Sequence, residues 1–245
     1  MTYLGRIVSD EVNDIKKAEK EGKPYVIRDY SALQYLYVCA LSNRQLTSAE
    51  RSATDYLLEY LKTKNTSLNL YGKALMAVVL SKNGDSKLAG EYLKSLEEYS
   101  VKTETMGRYY DSPRSGYSWF DYRIPTQVAA IEAMKLVDAK NYSAEIDEMR
   151  QWLLQQKRVQ GWNTPVNSAN AVYAFLSGNM SVLDKSENAV IKLDGTQLDM
   201  SPATAGLGYV KSATNVSKPG KLTVSKTSEG TSWGAVYAQS VCKTS

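Results

Sequence analysis

The side chains best suited to chemistry lie together between Lys102 and Arg123, the longest non-helical stretch in the first part of the sequence. It holds Tyr109, Tyr110, Asp111, Arg114, Tyr117, Trp119, Phe120, Asp121, Tyr122 and Arg123. Flat aromatic rings beside guanidinium and carboxylate groups can stack on a sugar or clamp a peptide. Tyr109, Tyr110, Tyr117, Trp119, Asp121 and Arg123, joined by Trp162, therefore form the candidate binding surface. A tyrosine beside an arginine could also move a proton, and Asp111 with Asp121 could form a glycosidase-like carboxylate pair. Ten residues of loop fix no distance between those two carboxylates. The same stretch equally reads as a buried corner, its aromatics filling the mouth of a helical ring and Asp121 capping the next helix.

Composition excludes much else. The chain of 245 residues has no histidine, which removes Ser-His-Asp and Cys-His catalysis and histidine-containing zinc sites. Two cysteines, Cys39 and Cys242, can form neither a Cys₄ zinc site nor a disulfide-rich scaffold. Cys39 sits among Leu33, Leu36 and Leu41 and reads as a small buried hydrophobe. No Gly-rich phosphate loop and no Asp-Asp-x-x-Asp run occurs. Most hydrolytic enzyme classes are thereby removed, catalysis without histidine stays open, and no catalytic residue, metal ligand or cofactor is assigned. A net charge of +4 without blocks of like charge gives no nucleic-acid footprint. No run approaches the 18 apolar residues a membrane span needs. The first residues enter a charged amphipathic pattern directly, without a signal-peptide core.

The elements that must position these residues are mostly helices. Val8, Val12 and Ile15 share one face, before the breaker Glu21-Gly22-Lys23-Pro24. Leu33, Leu36, Tyr37 and Ala40 form the next stripe, with Asp29 as cap. Thr47-Ser48-Ala49-Glu50 is a capping box, followed by Ala53, Tyr56, Leu57, Tyr60 and Leu61. Leu68, Tyr71, Leu75, Val78 and Val79 come next, ended by Asn83-Gly84. Asp85 caps a helix bearing Leu88, Tyr92, Leu96 and Tyr99. Stripes resume with Val128, Ile131 and Met134, then Ile146, Met149 and Leu153. In the last helix, opened by Asn167, Ala169, Val172, Tyr173 and Leu176 carry the apolar face. Short connections make these about eight helices a row of antiparallel hairpins, a toroid or a bundle.

Near residue 181 the texture changes to β-branched alternation and turns. Segments 189–193, 207–210, 221–224 and 233–237 read as four antiparallel strands, with Asp194-Gly195, Pro219-Gly220 and Glu229-Gly230 as turns. Leu222, Val224, Trp233, Ala235 and Tyr237 are expected on the inner face. The predicted architecture is mainly α over 1–180, helical hairpins that fit either a toroid or a bundle, with a short antiparallel sheet over 181–245.

Four stretches carry a family likeness. Gln151-Trp152-Leu153-Leu154-Gln155-Gln156, running through Gly161-Trp162-Asn163-Thr164 into Ala169–Leu176, resembles part of the thioester-containing helical domain of the alpha-2-macroglobulin family. Tyr117–Tyr122 with Thr126–Ala133 resembles the preceding hairpin of bacterial members. Asp29–Val38 is similar to an earlier helix, and Thr231–Gln239 to a strand of the CUB-like β-domain that follows. The resemblance implies an incomplete α/α-toroid over 1–180 followed by part of a CUB-like β-domain over 181–245, in a non-enzymatic fragment of a larger, exported protease inhibitor whose partners are its own neighbouring domains and a target protease. Neither Cys39-Ala40-Leu41-Ser42 nor Cys242-Lys243-Thr244-Ser245 matches the Cys-x-Glu-Gln thioester run, so no thioester is expected in this chain. A sugar-binding or lyase-like toroid using the Tyr109–Arg123 loop is the alternative.

Overall fold

The computed structural model describes residues 3–27, 30–42, 44–64, 68–111, 123–159, 164–177, 189–199, 212–215, 220–227, 234 and 236–237. The chain divides into two compact units, Met1–Ala174 and Phe175–Ser245. Among the described residues, the fold is mainly helical with a few short antiparallel strands.

The first unit is built from α1 (Tyr3–Lys20), α2 (Ser31–Ser42), α3 (Ser48–Thr63), α4 (Leu70–Lys82) and α5 (Ser86–Glu97), then α6 (Arg123–Asp138), α7 (Ser143–Val159) and most of α8 (Pro165–Leu176). Contacts alternate along the chain. The odd helices α1 and α3 pack together, while the even helices form a second row, α2 on α4 and α4 on α6. The core follows from the stripes: Val8, Val12 and Ile15 of α1, Leu57 and Leu61 of α3, Val128, Ile131 and Met134 of α6 are all buried.

α4 is the centre. It is apolar around its whole circumference, with every residue from Ala74 to Leu80 buried, because α2, α5 and α6 all pack on it. Asn69 opens it, its side chain accepting from the amide of Gly72 at 2.9 Å. It closes through Asn83 and Gly84 at φ +86°, with the Asp85 amide donating to the Leu80 carbonyl at 2.9 Å. Asp85 then caps α5 by accepting from Leu88. One tripeptide ends one helix and starts the next.

The expected faces need three corrections. In α5 the buried positions are Ala89, Leu93 and Leu96, while Tyr99 is exposed, so the stripe is rotated from Leu88 and Tyr92. α8 starts at Pro165 rather than after Asn167. Thr164 is its cap, accepting from the Asn167 amide at 3.1 Å, and proline suits a first helical position that has no amide to satisfy. Its buried face is Ala171 and Ala174, while Val172 and Tyr173 are exposed. Small residues let α8 approach closely enough for Arg150 Nε of α7 to donate to the Ala174 carbonyl at 3.1 Å.

The hairpin of β1 (Ser100–Thr103) and β2 (Gly107–Tyr110) occupies the start of the stretch read as loop. It pairs Ser100 with Tyr110 through Thr103 with Gly107, and β2 rests on α7 and α6.

The second unit carries a sheet of order β4-β3-β5, from β3 (Val190–Leu193), β4 (Thr196–Gln197) and β5 (Leu222–Ser225). Asp194 (φ +50°) and Gly195 (φ +82°) make the expected tight turn between β3 and β4. Asp194 also accepts from the Lys221 amide at 2.7 Å, tying the turn to β5. The expected inner face is not formed as drawn. Val224 is 58% exposed, and Tyr237 and Val236 are exposed outside any strand. Only Leu222 of the described inner-face residues is partly covered. The expected strand 207–210, and Trp233 and Ala235, lie outside the described residues.

Candidate functional site

Of the candidate surface, Tyr109, Tyr110 and Arg123 are described; Tyr117, Trp119, Asp121 and Trp162 lie outside the described residues. Tyr110 belongs to no surface. It is 1% exposed, beneath β2 where the hairpin meets α6 and α7, and burial drives its phenol pKa far above the usual value. Strand alternation explains this correction, because neighbours on β2 point to opposite faces. Tyr109 stacks on Trp152 of α7 with ring centroids 5.9 Å apart and planes 9° apart. Arg123 is the first residue of α6, and Asp111 is exposed just after β2. The hairpin is fastened by Gln127 of α6, whose Nε2 donates to the carbonyls of Arg108 (2.7 Å) and Met149 (3.3 Å). This region is a packed corner over the residues described.

An ionic cluster locks the same corner. Glu148 of α7 receives Arg108 Nε at 3.0 Å and the Lys102 ammonium on its other oxygen. Burial alone would raise the carboxyl pKa, but hydrogen bonds from Lys102 and Arg108 outweigh it and hold it below the usual value. A depressed folded pKa contributes stability that is complete above the unfolded pKa and is lost as pH falls toward the folded value. Thermal melts should therefore show Glu148→Gln less stable than the parent at pH 7, with the gap closing as pH falls below about 4.5. A gap that stays constant to pH 3 would refute this assignment.

A second group of polar side chains lies on α2, α4 and α6. Gln34 of α2 donates to Tyr71 of α4 at 2.9 Å. Tyr71 meets Tyr30 edge-on, centroids 5.9 Å apart. On α6, Glu132 is nine-tenths buried and lies 3.6 Å from the Lys135 ammonium. Burial lowers the Lys135 pKa, Glu132 opposes that shift, and Arg150 of α7 adds to it. Tyr37 of α2 joins these pieces: burial, then Tyr173 of α8, Glu132 and Tyr71, all push its phenol pKa well up. Tyr71 of α4, Glu132 of α6 and Tyr173 of α8 thus each lie within electrostatic range of Tyr37. Such a set offers hydroxyl donors and acceptors, a carboxylate acceptor and an ammonium donor.

Residue patterns pointed elsewhere, because Tyr37 and Tyr71 counted there as members of apolar stripes. The missed signal is in α6, where Glu132 and Lys135 interrupt an otherwise apolar run at i, i+3. Among the described residues no group of three metal-ligating side chains gathers, and no helix is long and apolar enough to cross a membrane.

Cys39 is buried with a free thiol, and burial raises its pKa; Cys242 lies outside the described residues.

No family model matches this chain, and no curated protein sequence matches it.

Proposed function

We propose that this chain is a non-enzymatic interaction domain of an exported, bacterial-type alpha-2-macroglobulin, serving conformational protease trapping without thioester chemistry of its own. The carrying observation is that three of the four resembling stretches contribute buried residues to helices of the first unit, while the described residues of the fourth, Gly234, Val236 and Tyr237, are exposed. Tyr35 and Leu36 of α2, Gln127 and Val128 of α6, and Trp152 and Leu153 of α7 are all buried. Residues that carry the likeness while filling a core support a mechanical role, in which stiff hairpins transmit movement between neighbouring domains. The order of the units, a helical hairpin row and then a strand unit with uncovered apolar side chains, supports the same reading. Its partners are the neighbouring domains of the parent and a target protease.

The test uses the full gene product that contains this chain, incubated with trypsin or elastase. Trapping predicts a stable complex in which the protease still cleaves small peptide substrates but no longer cleaves large proteins. Full cleavage of large substrates, with no complex on gel filtration, would overturn the proposal.

A further inference from the structure

We propose that a cavity lined by α2, α3 and α4 binds a free amino acid with a branched apolar side chain, of the leucine kind. The cavity holds about 170 Å³. α3 packs chiefly on α1 and α2 chiefly on α4, so space remains where α3 faces the α2–α4 pair. Leu36 and Ala40 of α2, Leu46 before α3, Leu58 of α3 and Val79 of α4 line it with hydrocarbon. A cavity of about 150 Å³ with such a lining admits benzene, so the side chain of leucine fits this one.

The polar groups of the wall select the rest of the ligand. Three of them already serve the protein. Arg44 pairs with Glu50 at 3.5 Å and stands over the Tyr35 ring. The Thr54 hydroxyl donates to the Arg51 carbonyl at 2.8 Å, and Asn83 Nδ2 donates to the Val79 carbonyl at 2.7 Å. Arg51 and Asp55 differ. They stand one turn apart on α3, a spacing at which opposite charges commonly pair. Yet both only line the cavity, and neither forms an ion pair among the described residues. An anion alone would be repelled by Asp55, and a cation alone by Arg51. An α-amino acid carries both charges on one carbon: its carboxylate meets the guanidinium, its ammonium meets Asp55, and its side chain enters the cavity. The site lies apart from the Tyr109–Arg123 stretch and does not rest on the protease-trap reading.

The test titrates the whole chain by calorimetry with leucine, with isocaproate (leucine without its ammonium), with isopentylamine (leucine without its carboxylate) and with glycine. Leucine should bind saturably, and roughly tenfold more tightly than each of the other three. Arg51→Gln and Asp55→Asn, both at exposed positions, should each weaken leucine binding by roughly tenfold, about the loss of one charged hydrogen bond. Glu59→Gln removes a charge from the same helix outside the cavity and should leave binding unchanged. The unaltered protein offers a second measurement, because Cys39 also lines the cavity. Saturating leucine should slow alkylation of Cys39 by iodoacetamide several-fold, read on the peptide that carries it. No saturable leucine binding, an analogue that binds as tightly, unchanged affinity in both Arg51→Gln and Asp55→Asn, or unprotected Cys39 at saturation would overturn the proposal.

Discussion

Gly107→Ala will be among the most damaging single-methyl additions to the helical unit. Gly107 opens β2 at φ +76°, and a Cβ built there would lie 2.2 Å from the backbone carbonyl oxygen of Glu148. Backbone cannot swing aside as a side-chain tip can, so the hairpin must lift off α7. Lifting it would disturb the Tyr109–Trp152 stack and the Glu148 cluster together. The left-handed conformation costs a residue with a Cβ about 1–2 kcal/mol, and forcing atoms into a filled space costs a further 1–3 kcal/mol. The expected loss is about 4 kcal/mol, a fall in Tm on the order of 10 °C for a unit of this size. Gly84→Ala supplies the comparison. Its φ is +86°, but nothing lies within 4 Å of the added carbon, so only the backbone cost of about 1 kcal/mol applies. Parallel thermal melts followed by circular dichroism measure both. Equal losses would mean that the contact with Glu148 does not matter.

The second large effect is expected at Glu50. Its side chain is fully buried, accepting from the backbone amide (3.0 Å) and hydroxyl (2.9 Å) of Thr47, with Arg44 at 3.5 Å. Glu50→Ala removes half of the capping box at the exposed Thr47 and empties the buried space that the Glu50 side chain fills, about 2 kcal/mol in all. α1 crosses directly above: a Cβ on Gly5 would come 2.4 Å from Glu50 Oε1. Gly5→Ala should therefore destabilise the parent by about 1–3 kcal/mol as overpacking. In the Glu50→Ala background the obstacle is gone. The same change should there be neutral or stabilising, since alanine is favoured over glycine within a helix by about 1 kcal/mol. A double-mutant cycle by urea denaturation reads the reversal directly. Additive effects would mean that the two residues do not meet.

Local rules account for what the sequence revealed. The Thr47–Glu50 box, the Asn83-Gly84 stop, the Asp85 cap and the Asp194-Gly195 turn all involve groups within a few residues of each other, and all form as read. The faces of α5 and α8 misled because periodicity marks several apolar positions but does not say which neighbour arrives. On α8, Ala171 and Ala174 win the interior over Val172 and Tyr173 because α7 comes close. The β1–β2 hairpin was hidden for a related reason. Ser100-Val101-Lys102-Thr103 has no apolar alternation, and it pairs because Gly107 permits the return and α7 supplies a surface. Tyr37, Glu132 and Tyr173 are separated by 95 and 41 residues, so no spacing rule could join them.

The central position of α4 has a consequence for synthesis. Its apolar circumference is covered on one flank by α6, whose first residue follows the last of α4 by 41 positions. At translation rates of about 5–20 residues per second, that flank waits roughly two to eight seconds for its cover after α4 is made. During that wait the nascent chain presents a greasy rod from Ala74 to Leu80, the segment a ribosome-associated chaperone would shield first.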